Sequence, residues 1–366
     1  MPFPHFRALA QRLRLSGSVS VSILIALATP SILPAQSTWI GETSVYGIGS
    51  NWSTNTAPGT GTAVVFDGRG VSDLTTTGSY LYSSMTFTGG SYTFTGGTTK
   101  YATGTGRIEV QAGTQTFNGV TRSHQSTVTY TVASGAAMVS TGSYTLTGTI
   151  TLSGAGTHEF GGTLNQSTGS ITLDSGTVLF NGTTSTVANL ITANGGTLGG
   201  IGTINRNTIL NSTAFLNAGV AGAGVLTFGQ NLTLNSGSTT QFDFINGATR
   251  GIDYDGVNVT GLTTYGGTLV LDFSSTLTSE TVFDLFNLTG GTAGSFAAVT
   301  ATGKYSGDFT YDGAFWTATS GGSLLTFGQS TGDLTVTPVP EPAATAVLTG
   351  GLMLWFVLGR RQRASV

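Results

Sequence analysis

Cysteine is absent from the 366 residues. That excludes disulfides, thiol nucleophiles and Cys-ligated metals, and it leaves the redox compartment open. Charge is almost as scarce: Asp, Glu, Lys and Arg make up 8% of the chain, against about 25% in an ordinary soluble domain. Only three histidines occur, and His5 falls in the N-terminal leader. His124 and His158 stand far apart, and His158-Glu159 has no second histidine four residues later, so a zincin reading fails. Gly303-Lys304 lacks the glycine spacing of a phosphate-binding loop. Between residues 36 and 342 there are seven basic side chains and sixteen acidic ones, with no basic patch. Nucleic acid and anionic surfaces are therefore not expected partners of the body.

Small and β-branched residues are abundant. Gly is 56 of the residues and Thr is 67, about 15% and 18% of the chain. Gly costs about 1 kcal/mol per helical position and Thr is a weak helix former. Thr, Val, Ile, Tyr and Phe suit strands, and Gly and Asn suit the turns between them. The composition predicts an all-β protein.

Both ends read as addresses. Arg7, Arg12 and Arg14 precede a ten-residue apolar run at 19–28, and Ala35 offers a small residue for cleavage. This is the form of a secretory signal peptide over residues 1–35, too short to span a bilayer as an ordinary helix. At the other end Val339-Pro340-Glu341-Pro342 precedes an apolar run at 343–358, followed by Arg360, Arg361 and Arg363. Sixteen helical residues reach about 24 Å, a marginal span, and the arginines hold that end on the cytoplasmic side. The order of motif, short transmembrane helix and basic tip resembles the PEP-CTERM sorting signal of exported bacterial proteins. The resemblance covers residues 339–366. It implies recognition by an exosortase-type membrane protease, transient residence in the inner membrane, and release to the cell surface or extracellular matrix. It also implies association with exopolysaccharide and biofilm; a plain tail anchor is the alternative.

Between the ends, short period-2 apolar pairs recur from about Leu74 onward. Met85/Phe87, Tyr92/Phe94, Ile171/Leu173, Val178/Phe180, Leu232/Leu234 and Leu269/Leu271/Phe273 are examples. Each predicts a strand with one buried and one solvated face. Asn118-Gly119, Asn181-Gly182, Asn194-Gly195 and Asn246-Gly247 fit either hairpin turns of an antiparallel sandwich or corners of a parallel β-helix. Strand shortness and the length of the pattern favour a single-stranded parallel β-helix, with Thr and Asn stacked in like-residue ladders.

The stretch Ala193-Asn194-Gly195-Gly196-Thr197-Leu198-Gly199-Gly200-Ile201-Gly202-Thr203-Ile204 resembles the repeats of autotransporter passenger domains, and the resemblance covers residues 185–271. Trp39-Ile40-Gly41, Asn51-Trp52-Ser53 and Ala63-Val64-Val65-Phe66-Asp67 are similar to the opening of exported proteins with autotransporter-associated strand repeats. The chain departs from true autotransporters by ending in a sorting tail instead of a transport barrel. Trp39 and Trp52 are expected to close the end of a β stack, with a sugar-binding aromatic pair as the rival. The expected organisation is a cap at 36–73, coils at 74–280, an aromatic-rich β cap at 281–338, and the sorting signal. Aromatics such as Phe283, Phe296, Tyr311, Trp316 and Phe327 suit that second cap or carbohydrate stacking.

Asp253 and Asp255 are the tightest acidic pair. On a strand, positions i and i+2 share a face, as a glycosidase pair or a calcium site requires. Carboxylates at a turn more commonly cap backbone N–H groups. The sequence therefore predicts a non-enzymatic structural or adhesion protein with no cofactor and no metal. Extracellular polysaccharide is its expected contact, with neutral glycans favoured over polyanions. A polysaccharide lyase or glycoside hydrolase on a β-helix is the alternative, and a calcium-dependent adhesin the third reading.

Overall fold

The computed structural model describes residues 36–339, apart from 102–105, 125, 167 and 220–221. The signal peptide with Ala35, and the tail from Pro340 with its apolar run and arginines, lie outside the described residues. Among the described residues no helix is long and apolar enough to cross a membrane.

The body is an all-β parallel solenoid. One turn shows the plan: Val128–Val132 lies on sheet 1, Ala137–Ser140 on sheet 2, Tyr144–Leu146 on sheet 3, and Ile150–Ser153 returns to sheet 1. Each strand pairs in parallel with its counterpart one turn on, as Val128 does with Ile150 and Ala137 with Thr157. Sheet 2 runs from Asp73–Thr75 to Ala298–Gly303. Parallel pairing extends on both sides of residues 74–280. Gln36–Thr38 pairs with Thr62–Asp67 before it, and Phe286–Leu288 and Thr292–Gly294 continue sheets 3 and 1 after it.

Period-2 alternation places one column inside and the next outside. Val128, Ile150, Ile171 and Ile191 are in register and buried, while the adjoining Thr129, Thr151, Thr172 and Thr192 form a half-buried outer column. Each fully buried aliphatic side chain contributes about 1.5–3 kcal/mol, so this inner ladder is the main source of cohesion. The outer threonines suit a pleated surface without adding charge. Asn118-Gly119, Asn181-Gly182 and Asn194-Gly195 lie at corners between parallel strands, whereas Asn246-Gly247 lies in a loop closed by the antiparallel bridge of Phe244 with Tyr254. At one corner Gly142, Gly162, Gly182 and Gly202 recur turn after turn. A Cβ on Gly182 would collide with the carbonyl of Gly162, and one on Gly202 with that of Gly182. Much of the glycine therefore serves close approach of successive turns.

Both ends of the stack are closed. Residues 44–46 bond the first strand of sheet 2 through Thr75 N–H to Ser44 O (2.7 Å) and Tyr46 N–H to Thr75 O (3.2 Å). Trp39 and Trp52 are buried there edge to face, ring centroids 5.2 Å apart, donating to Val71 O and Tyr46 O. At the far end Thr281–Asp284, Thr310–Tyr311, Phe315–Ser320, Ser323–Gly328 and Asp333–Pro338 form a five-stranded antiparallel sheet. Its Phe327 meets Phe286 and Phe296 of the solenoid, and Gln329 Oε1 accepts from Trp316 Nε1 and Phe296 N–H. Covered ends leave few strand edges open to another chain.

Candidate functional site

Asp253 and Asp255 do not share a strand face, and both accept backbone N–H groups. They lie in the loop joining Thr239–Phe244 to Gly256–Val259, where a turn sends neighbouring side chains in different directions. Asp253 Oδ2 accepts the Thr249 N–H at 3.0 Å and closes that turn. Asp255 is fully buried, and its two oxygens accept the Gly224 N–H at 2.8 Å and the Asp243 N–H at 2.9 Å. Burial pushes its pKa up to about 7 against the lowering effect of those two donors. One carboxylate closes a loop and the other ties three segments together. Among the described residues no cluster of three His, Asp or Glu is arranged to hold a metal.

The interior holds an unexpected polar group. On the strand Thr121–His124, Arg122 and His124 point inward and are fully buried. His158 occupies a sheet 2 core column between Met138 and Val178. The Arg122 guanidinium lies 3.9 Å above the Phe117 ring, with Tyr130 and Tyr144 close by. Such contacts offset part of the desolvation of the charge. His124 Nε2 and the Tyr130 hydroxyl are 2.5 Å apart. Burial, then Arg122, lowers His158 to about 3 and holds His124 well below the usual imidazole range. Both imidazoles are neutral at physiological pH and closed off from solvent. Only the alternation seen in neighbouring strands would have turned these residues inward on paper.

The exterior carries the accessible chemistry. Sheet 3 presents Thr163, Thr183, Thr203 and Thr227 in register. A corner presents an amide ladder: Asn194 Nδ2 donates to Asp174 Oδ1, Asn211 Nδ2 to Asn194 Oδ1, and Asn235 Nδ2 to Asn211 Oδ1, at 2.8–2.9 Å. Burial of Trp39 and Trp52 removes them as a sugar platform. Of the C-terminal aromatics, Phe283, Phe296, Tyr305 and Phe327 are buried, while Tyr311 and Phe315 are exposed. Phe215 is a further exposed aromatic, on sheet 2, which the residue pattern did not single out. Of Val339, Pro340, Glu341, Pro342, Arg360, Arg361 and Arg363, only Val339 is described; it is exposed, and its N–H donates to Gly322 O at 2.8 Å. No family model, curated protein or solved structure matches this chain.

Proposed function

We propose that the chain is a non-enzymatic, exported structural or adhesion protein of the cell surface or extracellular matrix, in contact with polysaccharide. The observation that carries this reading is a solenoid with a sealed interior and outer columns of Thr and Asn. Among the described residues the inward columns are buried side chains packed on one another, and the outer columns repeat hydroxyl and amide groups with little charge. Interstrand hydrogen bonds on every turn resist local opening, which suits a protein exposed to proteases. The low-charge polar surface hydrates well and matches neutral glycans better than polyanions, which the acidic body repels.

The sorting part of the proposal rests on the tail. Val339-Pro340-Glu341-Pro342, the apolar run and Arg360, Arg361 and Arg363 would be read by an exosortase-type membrane protease, after removal of the leader behind Ala35. Val339 is exposed immediately after the last strand of the antiparallel sheet, Asp333–Pro338.

Fractionation of cells carrying an epitope-tagged full-length chain, with intact mass of the product and a deletion of residues 340–366 alongside, tests the reading. The expected product lacks both ends and reaches the surface or medium only when the tail is present. Retention of an uncut tail in the inner membrane would instead make the protein an anchored envelope component. Reducing-end release from a glycan panel, lost in Asp253→Asn, would favour the polysaccharide-cleaving alternative.

A further inference from the structure

Two departures from the repeat fall in one turn of sheet 2. The first outer column of that sheet reads Thr157, Thr177, Thr197, Phe215, Thr239, Thr268 in direct register. Phe215 is the aromatic member of that series and is 44% exposed. The corner leading into the same strand is the second departure. Around it the left-handed conformation is taken by Gly176, Gly196, Gly237 and Gly267, with φ between 63° and 84°. Here Thr213 adopts it, φ 73°, its N–H donating to Gly237 O and its hydroxyl to Asn194 O. A β-branched residue at positive φ is strained. An exposed ring wins little from burial. Neither substitution helps the coil, and together they set one aromatic ring on the outer face.

The surroundings of Phe215 give the ring a defined chemistry. On its own strand the next outward residue is Asn217, and on the following strand Thr239 and Gln241 lie opposite the pair. On the preceding strand Gly199 lies opposite Asn217 and has no side chain, so the surface steps down beside the ring. Gln241 Nε2 donates to Asp243 Oδ1 at 2.7 Å and Asn217 Nδ2 to Asp243 Oδ2 at 3.4 Å, which fixes both amides. Asp272 continues the face on the next strand, with Thr302 donating to it. The described strands of sheet 2 carry no Lys or Arg. An aromatic face beside anchored amides and hydroxyls, with carboxylates at one side and no cation, matches an uncharged pyranose. Its C–H face stacks on the electron-rich ring and its hydroxyls reach the Gln241 amide and the Thr239 hydroxyl. A polyuronate meets only like charge.

We infer that the outer face of sheet 2 around Phe215, Asn217, Thr239 and Gln241 is a stacking site for a neutral polysaccharide. The inference rests on the proposed adhesion function and gives it a place and a ligand class. Successive strands are about 4.8 Å apart, so three strands give a footprint of about 10 Å across the turns, suited to a short run of sugar units.

The test is titration of the purified full-length chain with neutral hexasaccharides (gluco-, xylo- and manno-configured) and with a polyuronate. Phe215→Ala, Phe215→Trp and Thr172→Ala, the last on sheet 1, are measured alongside. The expected result is binding of at least one neutral hexasaccharide, weakened about tenfold or more in Phe215→Ala. Phe215→Trp should bind within a few-fold of the parent and Thr172→Ala should be unchanged, with thermal unfolding of all three near that of the parent. Neutral-glycan binding that survives Phe215→Ala overturns the site and leaves the adhesion reading standing. Binding of the polyuronate alone, or of no glycan, overturns the site together with the neutral-glycan part of that reading. The sorting result is measured separately and is unaffected.

Discussion

In the turns between Gly106 and Phe160 the solenoid encloses Gln115, Arg122, His124 and His158 among Tyr130 and Tyr144. From Ile171 to Phe273 the interior is filled mostly by Ile, Leu, Val and Phe and holds no histidine, although Arg206, Asp255 and several threonines are buried there too. The backbone plan is the same in both stretches: parallel pairing, outward threonines and glycine corners. The difference teaches that in a solenoid the backbone ladder sets the coil while the core is negotiated between neighbouring turns. In the polar stretch, ring faces and hydroxyls must satisfy groups that hydrocarbon could replace, and this makes that stretch sensitive to protons.

Acid should separate the two stretches most strongly. Both imidazoles are neutral in the fold, and once exposed they take up protons below about pH 6.5. The unfolded chain therefore binds more protons, and stability falls as the pH drops toward 3. A shift from 6.5 to about 3 at His158 alone corresponds to about 5 kcal/mol over that window. Asp255 acts in the opposite sense: its raised pKa favours the fold at low pH, and that contribution fades as pH rises from about 4 to 7. Hydrogen exchange at pH 4 and pH 7 should show amides of residues 106–160 losing protection in acid well before those of 191–273. Uniform loss along the coil would break the comparison.

Deleting apolar bulk should discriminate in the other direction. Leu198→Ala, in the column Val178, Leu198, Leu216, should lower stability by about 2–5 kcal/mol at both pH values in denaturant unfolding. His158→Leu extends that same column toward Met138. It should lie within about 1.5 kcal/mol of the parent at pH 7, since it exchanges a buried polar ring for an aliphatic chain of similar volume. At pH 4 it should exceed the parent by about 3 kcal/mol, because it cannot take up the proton. A variant that keeps the parent's acid slope would show that His158 is not its source. The smallest effect is expected at Thr213→Gly, which relieves the left-handed corner and should raise stability by about 1 kcal/mol in thermal unfolding.

The period-2 pairs, the scarcity of charge and the Gly/Thr/Asn composition determined an all-β chain and favoured the parallel coil, and Ile171/Leu173 and Val178/Phe180 are buried as their alternation required. The inward turn of Arg122, His124 and His158 was not legible, because a polar residue in an alternating strand looks solvated until its neighbours fix which face is inside. The separation of Asp253 from Asp255 was also hidden, since i, i+2 share a face only if the segment is a strand, and here a turn intervenes. The exposure of Phe215 in a threonine column depended on register between strands 18 and 24 residues apart. By itself the sequence determined local alternation and corner chemistry, because these depend on backbone geometry and near neighbours. Only the tertiary structure decided which side chains meet, because contacts between successive turns are set by where each corner brings the chain back.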